Sequence, residues 1–195
     1  IMLFAPAAII AVNLYGSYCG SVSRIIKSPA MRFVGFGVDL FFVFIILSAL
    51  LSMRNVAAIT RHSLAEDALS FVTLFGFISM VLMGGIYYML PRLLQADWPK
   101  PGRICLHWWL AAVGIVLVFV SLLFAGWFQG EAMNDAGIEF SAILGSVSLL
   151  LWVNVLGWLC MGAAAFIFIC HFYLMGFKSY CFKCCGSSSD SGGAA

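Results

Sequence analysis

Apolar residues run in five long blocks along this chain, at about residues 1–18, 33–53, 69–90, 104–128 and 150–177. Each reaches or approaches the ~20 residues that a helix needs to cross the hydrocarbon core of a bilayer. The pattern predicts an all-α polytopic membrane protein with five transmembrane helices, forming one domain over residues 1–177. The first block is short and holds Pro6 and Asn13, as expected of a helix whose start lies further upstream. Ser28-Pro29 supplies an N-cap and a proline at the first helical position of the second span. Ser63-Leu64-Ala65-Glu66 reads as a capping box that opens the third helix just outside the bilayer. Pro91 is expected to stop that helix, and Trp98-Pro99-Lys100-Pro101-Gly102 reads as a loop. The stretch 178–195, with the low-complexity run Gly186–Ala195, is expected to be a disordered tail.

Composition removes the soluble alternatives. Of 195 residues, 64% are hydrophobic and 9% charged, and the mean hydropathy is +1.07. A soluble domain carries about 25% charged residues, so a soluble fold, a disordered chain and a disulfide scaffold are all excluded. The lipid bilayer is the first partner. The net charge of +2 comes without a basic cluster on a soluble module, so nucleic-acid binding lacks its electrostatic footprint. The chain begins at Ile1 with no basic segment ahead of the first apolar run, so a signal peptide is not visible in it. It is expected to be part of a longer chain.

The basic residues set an orientation. Arg24, Lys27, Arg32, Arg92, Lys100, Arg103, Lys178 and Lys183 fall on one side of the predicted spans, and Arg54 and Arg61 on the other. The loop after the fourth span carries Glu131, Asp135 and Glu139 instead. The positive-inside rule then places the C-terminus in the cytoplasm and the chain entry outside. Trp127 and the Trp108-Trp109 pair fall near opposite ends of the fourth span, as interfacial aromatics do.

Few residues carry chemistry. The seven cysteines include Cys181, Cys184 and Cys185 on the predicted cytoplasmic side, where thiols stay reduced. A lone C-x-x-C-C is a weak metal signal, and juxtamembrane cysteines are also sites of acylation. Cys105, Cys160 and Cys170 lie within spans and read as packing residues. No metal site is predicted. His62 lies in an outer loop, whereas His107 and His171 lie toward the inner ends of the fourth and fifth spans. All three read as interfacial or packed residues. Asp39 stands six residues past Phe33, about 9 Å into the second helix. An intramembrane acid is a functional hypothesis by default, and Asp39 is the candidate for a proton path. The alternative is an anchor to Arg32 or Arg103. Asn13 and Asn154 are expected to hydrogen-bond between helices. Gly35, Gly37, Gly84, Gly85, Gly157 and the small run Gly162–Ala165 are expected to let helices approach closely.

The third and fourth spans carry a family likeness. Gly84-Gly85-Ile86-Tyr87-Tyr88-Met89-Leu90-Pro91-Arg92 resembles the G-A-[IL]-Y-x-L-V-P-[KR] signature of subunit I of cbb(3)-type cytochrome c oxidases. His107-Trp108-Trp109-Leu110-Ala111-Ala112-Val113-Gly114-Ile115-Val116-Leu117 is similar to the family's H-F-W-L-A-T-I-G-I-V-L. Ala125-Gly126-Trp127-Phe128-Gln129-Gly130 is similar to its A-G-x-x-Q-G. Upstream, Leu3-Phe4-Ala5-Pro6, Asn13 and Pro29 also fall where the family shows similar residues, so the likeness covers about residues 3 to 175.

The resemblance implies the last five helices of a twelve-helix haem–copper oxidase subunit I. It implies electron transfer from cytochrome c to dioxygen coupled to proton movement, with haem b and copper as the family's cofactors. The implied location is a bacterial inner membrane, and the implied partners are other oxidase subunits or the missing N-terminal helices. The family's H-x-H haem-ligand pair, counted back from the Tyr87–Pro91 signature, falls on Leu69 and Phe71, and its outer glutamate in the second helix falls on Leu47. Neither Leu nor Phe ligates iron. Met80 and Met83 lie about 13 Å or more deeper, and His62 is the fallback ligand. The chain is therefore expected to bind no haem by itself and to be a ligand-depleted structural or assembly variant. The other classes are a small-molecule or ion transporter, with Asp39, Asn13 and Asn154 as its polar path, and a non-catalytic membrane scaffold.

Overall fold

The computed structural model describes residues 4–20, 28–98, 100–135 and 137–186, and all regular structure among them is helical. The helices are α1 (Phe4–Cys19), α2 (Pro29–Leu51), α3 (Arg54–Thr60), α4 (Leu64–Leu94), α5 (Pro101–Met133) and α6 (Phe140–Gly186). Four of them, α2, α4, α5 and α6, are long and apolar enough to cross a membrane. The fifth apolar helix, α1, is shorter at 16 residues. The protein is a polytopic helical membrane protein. Two helices run past the predicted spans: α5 has 33 residues and α6 has 47, roughly 50 and 70 Å at helical rise. Both overshoot a ~30 Å hydrocarbon core.

The predicted outer loop from 129 to 149 contracts accordingly to residues 134–139. Ile143 and Val147, four residues apart, are both buried and give the early turns of α6 a packing face within a Ser- and Gly-containing stretch. Asp135 turns the short loop by accepting a hydrogen bond from the Gly137 amide at 3.0 Å. At the other end, the α6 backbone stays helical past the predicted limit of 177 to Gly186. Residues 187–195 lie outside the described residues, as do Arg24 and Lys27.

In a bilayer there is no hydrophobic drive for one apolar helix to leave lipid for another, so close packing and interhelical hydrogen bonds hold the bundle. The predicted small-residue contacts hold at Gly37, Gly84 and Gly157. A Cβ at Gly84 would stand 2.7 Å from Val34 Cγ2 and 2.9 Å from the Ala30 carbonyl, so α2 and α4 meet there backbone to backbone. Gly114 and Gly157 face each other across α5 and α6 in the same way. Gly85 and Gly162 are corrections, since both look onto open space. Asn154 donates to Ser121 Oγ at 3.2 Å and so links α6 to α5. Among the described residues Asn13 bonds the Ile9 carbonyl within its own helix rather than a neighbouring helix.

Two local features escape the apolar pattern. Inside α4, residues Val72–Ser79 form a π-helical segment, whose i→i+5 bonds widen the coil. Its Phe77 carbonyl would lie 3.2 Å from a Cβ at Gly37, which lets α2 back directly onto it. The second feature is that Pro91 does not stop α4, which continues to Leu94 and ends at Gln95 in a left-handed conformation. Proline removes the N–H that would bond the carbonyl four residues back. That carbonyl, on Tyr87, instead accepts from the Trp98 indole at 3.1 Å.

Candidate functional site

The start of α4 is held by the segment that resembles A-G-x-x-Q-G. Ser63 caps the helix, its Oγ accepting from the Ala65 amide at 3.3 Å. The reciprocal half of the predicted capping box is replaced, because the Ser63 amide donates to the Thr60 carbonyl at 3.2 Å. Gln129 Oε1, arriving from α5, accepts from the Leu64 amide at 3.2 Å. Two of the four amides that every helix start leaves unpaired are thus satisfied by side chains. Gly126 and Gly130 make this clasp sterically feasible: a Cβ at Gly126 would collide with the Ala65 backbone, and one at Gly130 with the Ile59 carbonyl.

One turn or so further along α4 are the two positions that the resemblance assigns to haem ligands. Phe71 is buried, its ring stacked on Phe75 at 5.1 Å and meeting the edge of Trp158 from α6 at 5.5 Å. Phe75 meets the same indole at 5.5 Å. Leu69 is half-buried and lines a crevice of about 210 Å³ with Ser48, Thr60, Arg61 and Glu66. His62, the fallback ligand, is exposed and held at φ 67° in the turn before Ser63. Leu47, at the place of the family's glutamate, packs against the core. At these two positions neither Leu69 nor Phe71 offers an atom that ligates haem iron, and the ring of Phe71 joins an aromatic cluster that spans α4 and α6.

At the opposite end of the bundle the structure packs Tyr87 and Trp98 around His107 and His171, the two histidines expected toward the inner ends of their spans. The Tyr87 hydroxyl lies 2.9 Å from His107 Nδ1. Phe33 covers both rings, with centroids at 5.3 Å from Tyr87 and 5.0 Å from His107. His171 from α6 is fully buried, with its ring 4.8 Å from Trp98 and 6.4 Å from Tyr87. Neither nitrogen of His171 has a hydrogen-bond partner among the described residues. Phe168 closes the enclosure against both Tyr87 and His107 at 5.6 Å. The signal was available in the spacing. Tyr87 and His107 are equidistant from the middle of a helix hairpin centred near Asp97, so antiparallel α4 and α5 must set them at one depth. Chemically the cluster offers a phenol and two imidazoles in a water-poor aromatic cage. Among the described residues, no three His, Cys, Asp or Glu side chains group as metal ligands.

Asp39 lies elsewhere. On α2 the buried positions Phe33, Gly37 and Leu40 mark one face, and Asp39 shares the exposed face with Val43, Ile46 and Leu50. Arg32, one of its predicted anchors, places Nη1 3.8 Å from Cys105 Sγ. Both Arg32 and Asp39 have further interaction partners. Met80 is buried, and Met83 lines with it and His107 a cavity of about 280 Å³ between α4, α5 and α6.

Comparison with known proteins finds a match over residues 1–160 to the family model described as Cytochrome C and Quinol oxidase polypeptide I. Among curated proteins, the chain is 23% identical over 141 residues to the Cbb3-type cytochrome c oxidase subunit CcoN1 of Stutzerimonas stutzeri. The matched region covers 70% of this chain and 30% of that relative's length.

Proposed function

We propose, from the premise that the chain belongs to the cytochrome c and quinol oxidase polypeptide I family, that it works as a haem-free membrane subunit or segment of a respiratory electron-transfer complex that reduces dioxygen. Its part is to supply helix packing and docking for other oxidase-type subunits or helices, in a bacterial inner membrane with the C-terminus in the cytoplasm. Haem b and copper belong to other parts of such a complex. The observation that carries this reading is Phe71. At the place where the resemblance puts a haem ligand stands a buried ring packed on Phe75 and Trp158. Large aromatics in such contacts are worth about 0.5–1.5 kcal/mol beyond their burial. The volume and the packing energy at this point therefore serve helix association. Family membership favours this reading over a transporter.

A pyridine haemochrome assay and a visible spectrum of the purified chain, produced with ample haem, test it. The expected result is no stoichiometric haem. One haem per chain, lost on His62→Leu, would overturn the proposal and assign the iron to a displaced ligand.

A further inference from the structure

At the end of the bundle that holds Tyr87 and His171, an apolar groove opens between α5 and α6. It measures about 510 Å³ and is lined by Leu106 of α5 and Phe166, Cys170, Tyr173 and Leu174 of α6, with Arg103 at its rim. Arg103 is the sole charged residue of the lining. It stands in the first turn of the apolar helix that begins at Gly102, next to the polar connection between α4 and α5. From Leu174 to Phe166 the α6 wall runs eight residues, about 12 Å at helical rise. That is most of one leaflet, about 15 Å of a ~30 Å core. The groove wall is thus long enough to cover most of an acyl chain within one leaflet, with a cation at the end nearest the connecting loop.

The neighbouring basic residue differs. Arg92 lies over the Tyr88 ring at 3.9 Å and is engaged there, whereas no hydrogen bond or ion pair of the Arg103 guanidinium is found among the described residues. In the same connection exposed Lys100 is offset by exposed Asp97, so the local positive charge rests on Arg103. An apolar slot with a positive rim complements a ligand with an apolar tail and a negative head.

We infer that this groove is a binding site for an anionic phospholipid, with one acyl chain along α6 and the headgroup phosphate on Arg103. Basic pockets between transmembrane helices are suited to such headgroups, and one basic side chain near the surface favours an anionic lipid by about fivefold.

Native mass spectrometry of the delipidated 195-residue chain in micelles, titrated with phosphatidylglycerol and phosphatidylcholine of the same acyl chains, tests the assignment. One phosphatidylglycerol is expected to bind, with about fivefold preference over phosphatidylcholine. Arg103→Gln should abolish the preference, Arg103→Lys should keep most of it, and Cys170→Trp should lower the occupancy of both lipids by filling the slot. Equal binding of the two lipids by the unaltered chain would overturn the inference without reference to any variant. Undiminished binding in a helical Cys170→Trp protein, or displacement of the lipid by excess inorganic phosphate, would do the same. The latter would reduce the site to an anion on Arg103.

Discussion

The indole of Trp98 donates to the carbonyl of Tyr87 at 3.1 Å, the oxygen that Pro91 leaves without its helical partner. This bond lets α4 pass through a proline and keeps Tyr87 within reach of His107. Trp98→Phe should therefore destabilise the protein by on the order of 1 kcal/mol, the lower end of the cost of an unpaired buried acceptor. Pro91→Ala restores an N–H to the same carbonyl. In the Trp98→Phe background it should recover stability that it does not add to the parent chain. Unfolding by SDS in mixed micelles measures all four corners of the cycle, and strict additivity would contradict the account.

Gly126 and Gly130 seat α5 against the backbone at the capped start of α4, where a Cβ meets main chain rather than the yielding end of a side chain. Gly126→Ala should cost at least about 1–3 kcal/mol, the range for forced overpacking. Gly85→Ala and Gly162→Ala, which meet open space, should be neutral or slightly stabilising through reduced freedom of the unfolded chain. Equal melting behaviour of Gly126→Ala and Gly85→Ala would refute the steric role of the clasp.

Topology is predicted by the basic asymmetry. In intact cells, an impermeant thiol reagent should leave Cys184 unlabelled and should label a single cysteine introduced as Asn134→Cys. The opposite pattern would invert the orientation.

Asp39 shares the outward face of α2 with Val43, Ile46 and Leu50, a face open to neighbouring helices of an assembled complex. If the carboxylate carries protons there, Asp39→Asn should lower coupled turnover of the intact complex on the order of tenfold or more, while its abundance stays level. Normal turnover and proton uptake in the fully assembled variant would assign Asp39 to anchoring alone.

The sequence by itself determined the solvent and the fold class. A charged fraction of 9% leaves no polar surface for water, and runs of about 20 apolar residues have few stable forms in lipid other than helices. Ser28 holds the N-cap position of α2 without a side-chain cap bond, but the cap at Ser63 was legible because it is local chemistry. So was the absence of ligating atoms at Leu69 and Phe71, which is a matter of residue identity. Which glycines are contacts was not legible: Gly84 and Gly85 are adjacent in sequence, yet only one faces α2. The π segment at Val72–Ser79 and the passage of α4 through Pro91 depend on partners from elsewhere in the chain, Gly37 in one case and Trp98 in the other. Spacing across the α4–α5 hairpin sets Tyr87 and His107 at one depth, but only the tertiary structure turned them toward each other and toward Trp98 and His171, because uniform hydrophobicity records which residues are in the bilayer but not which side of a helix meets its neighbour.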